Sequence, residues 1–201
     1  MARIKKDERE EILESNRQKI LAAAAGEIAQ EGYNGANINR ISQAAGFAKG
    51  TIYNYFPSKQ VLMTELLSEF AQVHYDAVRT AVLAEEGPNQ RLTRFFEAGF
   101  DFIAKNLASA HVMVQTIYGA HQDFKFLLYQ AYQPMFQLVA EEIITPGVTA
   151  GIFREVDAAS ISTLLMTIYL GTASQVTDEG IFFLDSGLVA GFAQQALKMT
   201  S

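Results

Sequence analysis

The chain has 201 residues, 49% hydrophobic and 19% charged, a balance ordinary for a soluble, well-packed protein of one domain or two small ones. It has no cysteine, which excludes a disulfide framework, a thiolate metal site, a cysteine nucleophile and thiol redox sensing. The net charge of −6 is unevenly divided: residues 1–59 hold 9 Lys and Arg against 7 Asp and Glu, a balance of +2, and residues 60–201 carry the remaining −8. Affinity for a polyanion is therefore expected to be local.

No apolar segment follows the charged opening MARIKKDERE, and no 18-residue apolar run lacks charge, so a cytoplasmic protein without a membrane span is expected. Arg3, Lys5 and Lys6 make a basic start that reads first as a solvated tail and alternatively as an arm on DNA. Asn37 is a good N-cap, since its side-chain oxygen can accept from an unpaired backbone N–H. Ile38, Ile41, Ala44 and Ala45 then give one apolar face at helical spacing, and Gly46 ends the helix in a turn. A second helix starts at Ala48 or Lys49. Ile52 and Phe56 point inward, leaving Lys49, Gly50, Thr51, Tyr53, Asn54 and Tyr55 on the outer side or flanks. Pro57 stops it and Ser58 caps the next. No Asp or Glu lies between Glu31 and Glu65, whereas Arg40, Lys49 and Lys59 do, so a phosphate backbone is the simplest partner for this surface.

The run from Ile20 to Leu62 closely resembles the DNA-binding domain of the TetR family of bacterial one-component repressors. The Glu-Gly-Tyr turn, the Ala-Gly before the second helix, Lys-Gly-Thr-Ile-Tyr and Tyr-Phe-x-Ser-Lys all fall in register. The departures are Asn37 where the family often has Thr, Ser42 where it often has Ala, and Ala48 where it often has Ser. The resemblance implies an all-α protein of about nine helices: a three-helix helix-turn-helix domain over residues 1–57, then a helical effector-binding and dimerisation domain over 58–201. Lys49, Gly50 and Thr51 are candidates for the major-groove floor, and Asn54 for an adenine edge. Tyr53, Tyr55 and Lys59 would hold phosphates as their family counterparts do, with the helix start at Asn37 assisting.

Beyond Lys59 the pattern is helical throughout. A long helix to about Leu83 uses Leu62, Leu66, Phe70, Val73, Ala77 and Ala81, and Gly87 and Pro88 break the chain after it. Helices are expected over about Gln90 to Ala108, Ala110 to Tyr118, Gln122 to Ile144 with a kink at Pro134, Asp157 to Gln175 and Asp185 to Met199, with a loop from Thr145 to Phe153. Residues 95–136 are dense in aromatics, which suits a packed core or a cavity. The family places its ligand pocket at this point of the chain. Phe70, Phe96, Phe100, Ile103, Met113, Tyr118, His121, Phe124, Leu128, Tyr132 and Phe136 are therefore expected to line a site for an apolar or amphipathic effector, with polar grips from Gln115, Tyr118, His121, Tyr129 or Tyr132. With only Arg91, Arg94, Lys105 and Lys125 in residues 90–140, a polyanionic ligand is not expected.

The last two helices carry small and apolar residues in stripes. By the resemblance these form a homodimer seam through Ile161, Leu165, Ile168, Leu188, Gly191, Phe192 and Ala196, pairing two DNA-reading heads on a palindrome. His74, His111 and His121 have no metal-site spacing, and no nucleophile or phosphate-loop motif occurs, so neither catalysis, metal nor cofactor is expected. The alternative is a DNA-binding protein of the same fold that answers to no small molecule.

Overall fold

A computed structural model describes residues 6–199, Lys6 by its backbone alone; the alternative arm contact of Arg3, Lys5 and Lys6 falls outside the described residues. The described chain is helical: α1 (Lys6–Gly35), α2 (Ile38–Ala45), α3 (Lys49–Tyr55), α4 (Lys59–Leu83), α5 (Pro88–Lys105), α6 (Leu107–Tyr118), α7 (Gln122–Ala131), α8 (Gln133–Leu138), a π-helical stretch (Val139–Ile144), α9 (Thr145–Thr149), α10 (Ala158–Ala173) and α11 (Ser186–Leu197). The pieces from α7 to α9 follow one another with a single residue between α7 and α8 and none thereafter, so the rods number nine. Two isolated bridges, Phe153 with Lys198 and Val176 with Phe182, are the β pairings among the described residues.

The chain forms two compact units, one of residues 1–69 with 108–127 and the other of 70–107 with 128–201. In the first, Ile20, Leu21, Ala24 and Ile28 of α1 are buried with Ile41 of α2, Ile52 of α3, and Leu62, Met63 and Leu66 of α4. Burying side chains of this size stabilises by about 1.5–3 kcal/mol each, which outweighs the poor intrinsic stability of helices as short as α2 and α3. Asn37 caps α2 by accepting from the Asn39 backbone N–H at 2.8 Å, and Gly46 ends it at φ 76°, a left-handed conformation that a Cβ disfavours. Ile41 forms the buried face of α2 together with Ser42, whereas Ala44, expected inside, is exposed.

In the second unit α5 packs along α11, and α10 packs against α8 and the π-helical stretch. Its elements depart from expectation where proline is concerned. Pro88 begins α5 instead of only breaking the chain, and Pro134 and Pro146 lie in the first turns of α8 and α9. A first-turn N–H has no helical partner to lose, so proline is tolerated there. The kink expected at Pro134 is accordingly a break at Tyr132, and the loop expected over Thr145 to Phe153 is helical up to Thr149. The face of α4 is also shifted by one residue. Val73 and Ala77 are exposed, while His74, Val78 and Val82 are buried, since a helix running on from Phe70 by fours reaches 74, 78 and 82.

Candidate functional site

The outer face of α3 is the first candidate. Ile52 and Phe56 are buried as anchors, and Lys49, Gly50, Tyr53 and Asn54 stand exposed between and beside them, with Thr51 and Tyr55 half-buried on the flanks. The Tyr55 hydroxyl accepts from Asn16 Nδ2 at 3.3 Å, which fixes that ring against α1. Of the three cations in the acid-free stretch, two are already engaged. Arg40 pairs with Glu27 at 3.0 Å and Glu31 at 2.9 Å, carboxylates brought to α2 by the preceding helix. Lys59 Nζ donates to the carbonyl oxygens of Asn34 (3.2 Å) and Ala36 (3.1 Å) and stands 4.9 Å from the centre of the Tyr33 ring. That ammonium, expected at phosphate, caps carbonyls at the C-terminal end of α1. Lys49 has no ion-pair partner among the described residues. Asn37, expected at phosphate, spends its side-chain oxygen on the α2 cap.

The eleven expected effector residues are divided between the two units. Phe70, Phe96, Phe100, Ile103, Leu128, Tyr132 and Phe136 belong to the second unit, and Met113, Tyr118, His121 and Phe124 to the first. Tyr118 is 69% exposed and Tyr129 is exposed too, so neither grips a buried ligand. Gln115 donates to the Ala29 carbonyl at 2.8 Å.

In the second unit the aromatics gather around a histidine that the sequence pattern did not single out. His74 is fully buried, its Nδ1 2.8 Å from the Tyr132 hydroxyl and its Nε2 2.8 Å from the Tyr169 hydroxyl, with the Phe102 ring stacked on it at 4.6 Å. A neutral imidazole donates from one nitrogen and accepts at the other, so it satisfies both phenols at once. Burial pushes its pKa down from 6.5 to about 3, and burial likewise pushes both phenols up. Gly99 makes room for this group, since a Cβ there would lie 2.6 Å from the Tyr169 ring and hydroxyl. The position four residues after Phe70 and four before Val78 was the signal that could have found His74.

In the first unit, a half-open pocket of about 240 Å³ is lined by Ile28, Gly32, Tyr33, Met63, Val112, Gln115, Thr116, Gly119, His121 and Phe124. Three expected residues, Gln115, His121 and Phe124, are there. Tyr33, Met63, Val112 and Thr116 were not foreseen, because they come from helices far apart in sequence. The Tyr33 ring meets His121 edge-on at 5.1 Å and Phe124 at 4.8 Å.

The ends of the chain give the third surface. Leu188 and Phe192 are 62% and 65% exposed, Gly191 and Ala196 are exposed, and Ile161 and Ile168 are half-buried. Leu165 is only 3% exposed and faces the interior of its own unit, so it leaves the expected seam; Leu164, one residue earlier, is the exposed one. Ile181 and Phe183, in the turn before α11, are exposed as well. No helix among the described residues is long and apolar enough to cross a membrane, and no group of three His, Asp or Glu is placed to hold a metal.

Residues 20–66 match the family model described as bacterial regulatory proteins, tetR family. Over these residues the chain carries the DNA-binding domain of that family. Its relatives include a transcriptional repressor, KstR2 of Mycobacterium tuberculosis, 27% identical over 150 residues that cover 70% of each chain. A transcriptional activator, FasR of Mycolicibacterium smegmatis, is 33% identical over 101 residues, 50% of this chain and 43% of FasR. Both relatives are transcriptional regulators by name. The solved structure of FadR from Bacillus subtilis in complex with stearoyl-CoA has the same fold, with TM-score 0.77 at 19% identity, covering 90% of this chain and 97% of that one. The ketosteroid transcriptional regulator KstR2 of Mycobacterium tuberculosis gives 0.71 at 20% identity, covering 92% and 95%.

Proposed function

We propose that this TetR-family regulator is a repressor that binds a palindromic operator as a homodimer and is released by a mostly apolar small molecule. The observation that carries the reading is α3: a short helix pinned by Ile52 and Phe56, with Lys49, Gly50, Tyr53 and Asn54 turned outward and no carboxylate among them. Such a face fits the major groove, where an Asn reads an adenine edge and a lysine or tyrosine holds a guanine edge or a phosphate. The exposed Leu164, Leu188 and Phe192 support dimerisation, since three large apolar side chains of one unit gain about 1.5–3 kcal/mol each on full burial.

The effector reading draws on the relatives, one solved with stearoyl-CoA and another described as a ketosteroid regulator, whose names share an apolar body. For this chain a polyphosphate head is disfavoured. Arg91 bonds Glu142 and the Glu85 carbonyl, Arg94 pairs with Glu97, and Lys105 pairs with Asp101, so three of the four basic side chains of residues 90–140 are engaged. The reading without an effector draws support from the tight aromatic cluster, in which Phe95, Phe96 and Ile103 are fully buried.

Fluorescence anisotropy with duplexes from the flanking genomic DNA tests the proposal. The dimer is expected to select one palindrome with half-sites about 34 Å apart, with affinity falling steeply with salt. Thr51→Ala and Asn54→Ala are expected to cost about 1–3 kcal/mol on that site and to change its sequence preference. Salt-independent binding, or equal loss on every sequence, defeats the base-reading assignment. An apolar ligand library that never lowers operator affinity favours the effector-free reading.

A further inference from the structure

Resting on the regulator reading above, we infer that the pocket among α1, α4, α6 and the start of α7 is a small-molecule site for a neutral, two-ring aromatic compound, and that its occupancy is read directly by α2.

The pocket's chemistry defines the ligand. No Asp, Glu, Lys or Arg lines it, which removes any counter-charge for an ion. Its inner wall is apolar, with Ile28, Met63, Val112 and Phe124 each nearly buried, and one rim carries an aromatic corner of Tyr33, His121 and Phe124. Tyr33 presents its ring at a steep angle to both neighbours (78° and 73°), an arrangement a third ring can extend edge-to-face. Thr116 Oγ1 donates to the Val112 carbonyl and keeps its lone pairs, so it can accept one hydrogen bond from the ligand. At about 240 Å³ the space exceeds a cavity of ~150 Å³ that takes benzene, and a fused two-ring molecule is the corresponding size.

The same wall is joined to α2, the first helix of the helix-turn-helix, by few bonds. Gly32 turns the chain at φ 69° and places Tyr33 on the pocket. The Tyr33 ring carries the Lys59 ammonium, and Lys59 holds the Ala36 carbonyl at 3.1 Å, one residue before the Asn37 cap of α2. Asn37 in turn donates its backbone N–H to Glu27, the partner of Arg40 on α2. A ring that pushes Tyr33 aside displaces Lys59 and loosens the start of α2, so ligand and operator compete through differential affinity for two positions of the segment 33–37.

The test uses indole as the probe and the intact chain. Indole is expected to bind with its NMR contacts on Tyr33, Phe124 and Val112, to raise the melting temperature, and to weaken operator binding at least tenfold at saturation. Indole-3-acetate, the charged counterpart, is expected to bind at least tenfold more weakly. Val112→Phe, which fills the pocket, is expected to weaken indole at least tenfold. Because a buried position can fail to fold when enlarged, Thr116→Val and the exposed His121→Ala serve as second variants, each expected to weaken indole several-fold. Absence of indole binding, binding indifferent to all three variants, or binding that leaves operator affinity unchanged overturns the inference. Operator binding measured without indole stands apart from these outcomes, so its loss would instead count against the regulator reading.

Discussion

His74 shows how one residue can tie stability to pH without serving as a sensor. Its folded pKa of about 3 lies below the ordinary 6.5 because burial between two phenols refuses the charge. Above pH 6.5 both folded and unfolded chains hold it neutral. As pH falls from 6.5 toward 3, the unfolded chain takes a proton that the folded chain does not, and stability is lost at up to about 1.4 kcal/mol per pH unit. The melting temperature of the intact protein is therefore expected to drop between pH 7 and pH 5, and that of His74→Gln to drop less. Parallel declines in the two proteins would assign the acid sensitivity to other groups. The sequence held the clue in the fourfold spacing Phe70, His74, Val78. Its partner Tyr169 could not be read there, because 95 residues separate the two.

At the scale of elements, the helix-turn-helix was legible because each of its signals is local. Asn37, Gly46, Ser58 and the pair Ile52 and Phe56 act within one or two turns, through a cap, a left-handed turn or helical spacing. The charge on that element was not legible, since Glu27 and Glu31 reach Arg40 from α1, and the carbonyls of residues 34 and 36 claim Lys59. This separates two lysines that look alike in sequence. Lys49→Ala is expected to reduce the slope of log affinity against log salt by about one unit, as loss of one phosphate contact requires. Lys59→Ala is expected to leave that slope alone and to lower stability by about 0.5–1.5 kcal/mol, the worth of a typical hydrogen bond, seen as a lower urea midpoint at unchanged m. Equal slope changes for both variants would return Lys59 to the phosphate contacts.

For the whole molecule, the proposed dimer makes the sharpest demand. Phe192→Glu places a charge in the centre of the exposed apolar face of α11 and is expected to give a monomer in sedimentation at micromolar concentration, with operator binding lost in parallel. A dimer of unchanged affinity would move the seam elsewhere. The sequence by itself determined the helical class, the helix-turn-helix and its outward face, and the cap Asn37, because these follow from backbone hydrogen bonding and periodicity inside short windows. Only the tertiary structure decided that Leu165 turns inward while Leu164 turns outward, that the expected effector residues divide between two units, and that a pocket draws on Ile28, Met63, Val112 and Phe124 together. Those choices depend on which neighbour fills the space beside a side chain, and that neighbour is set by packing between helices distant in the chain.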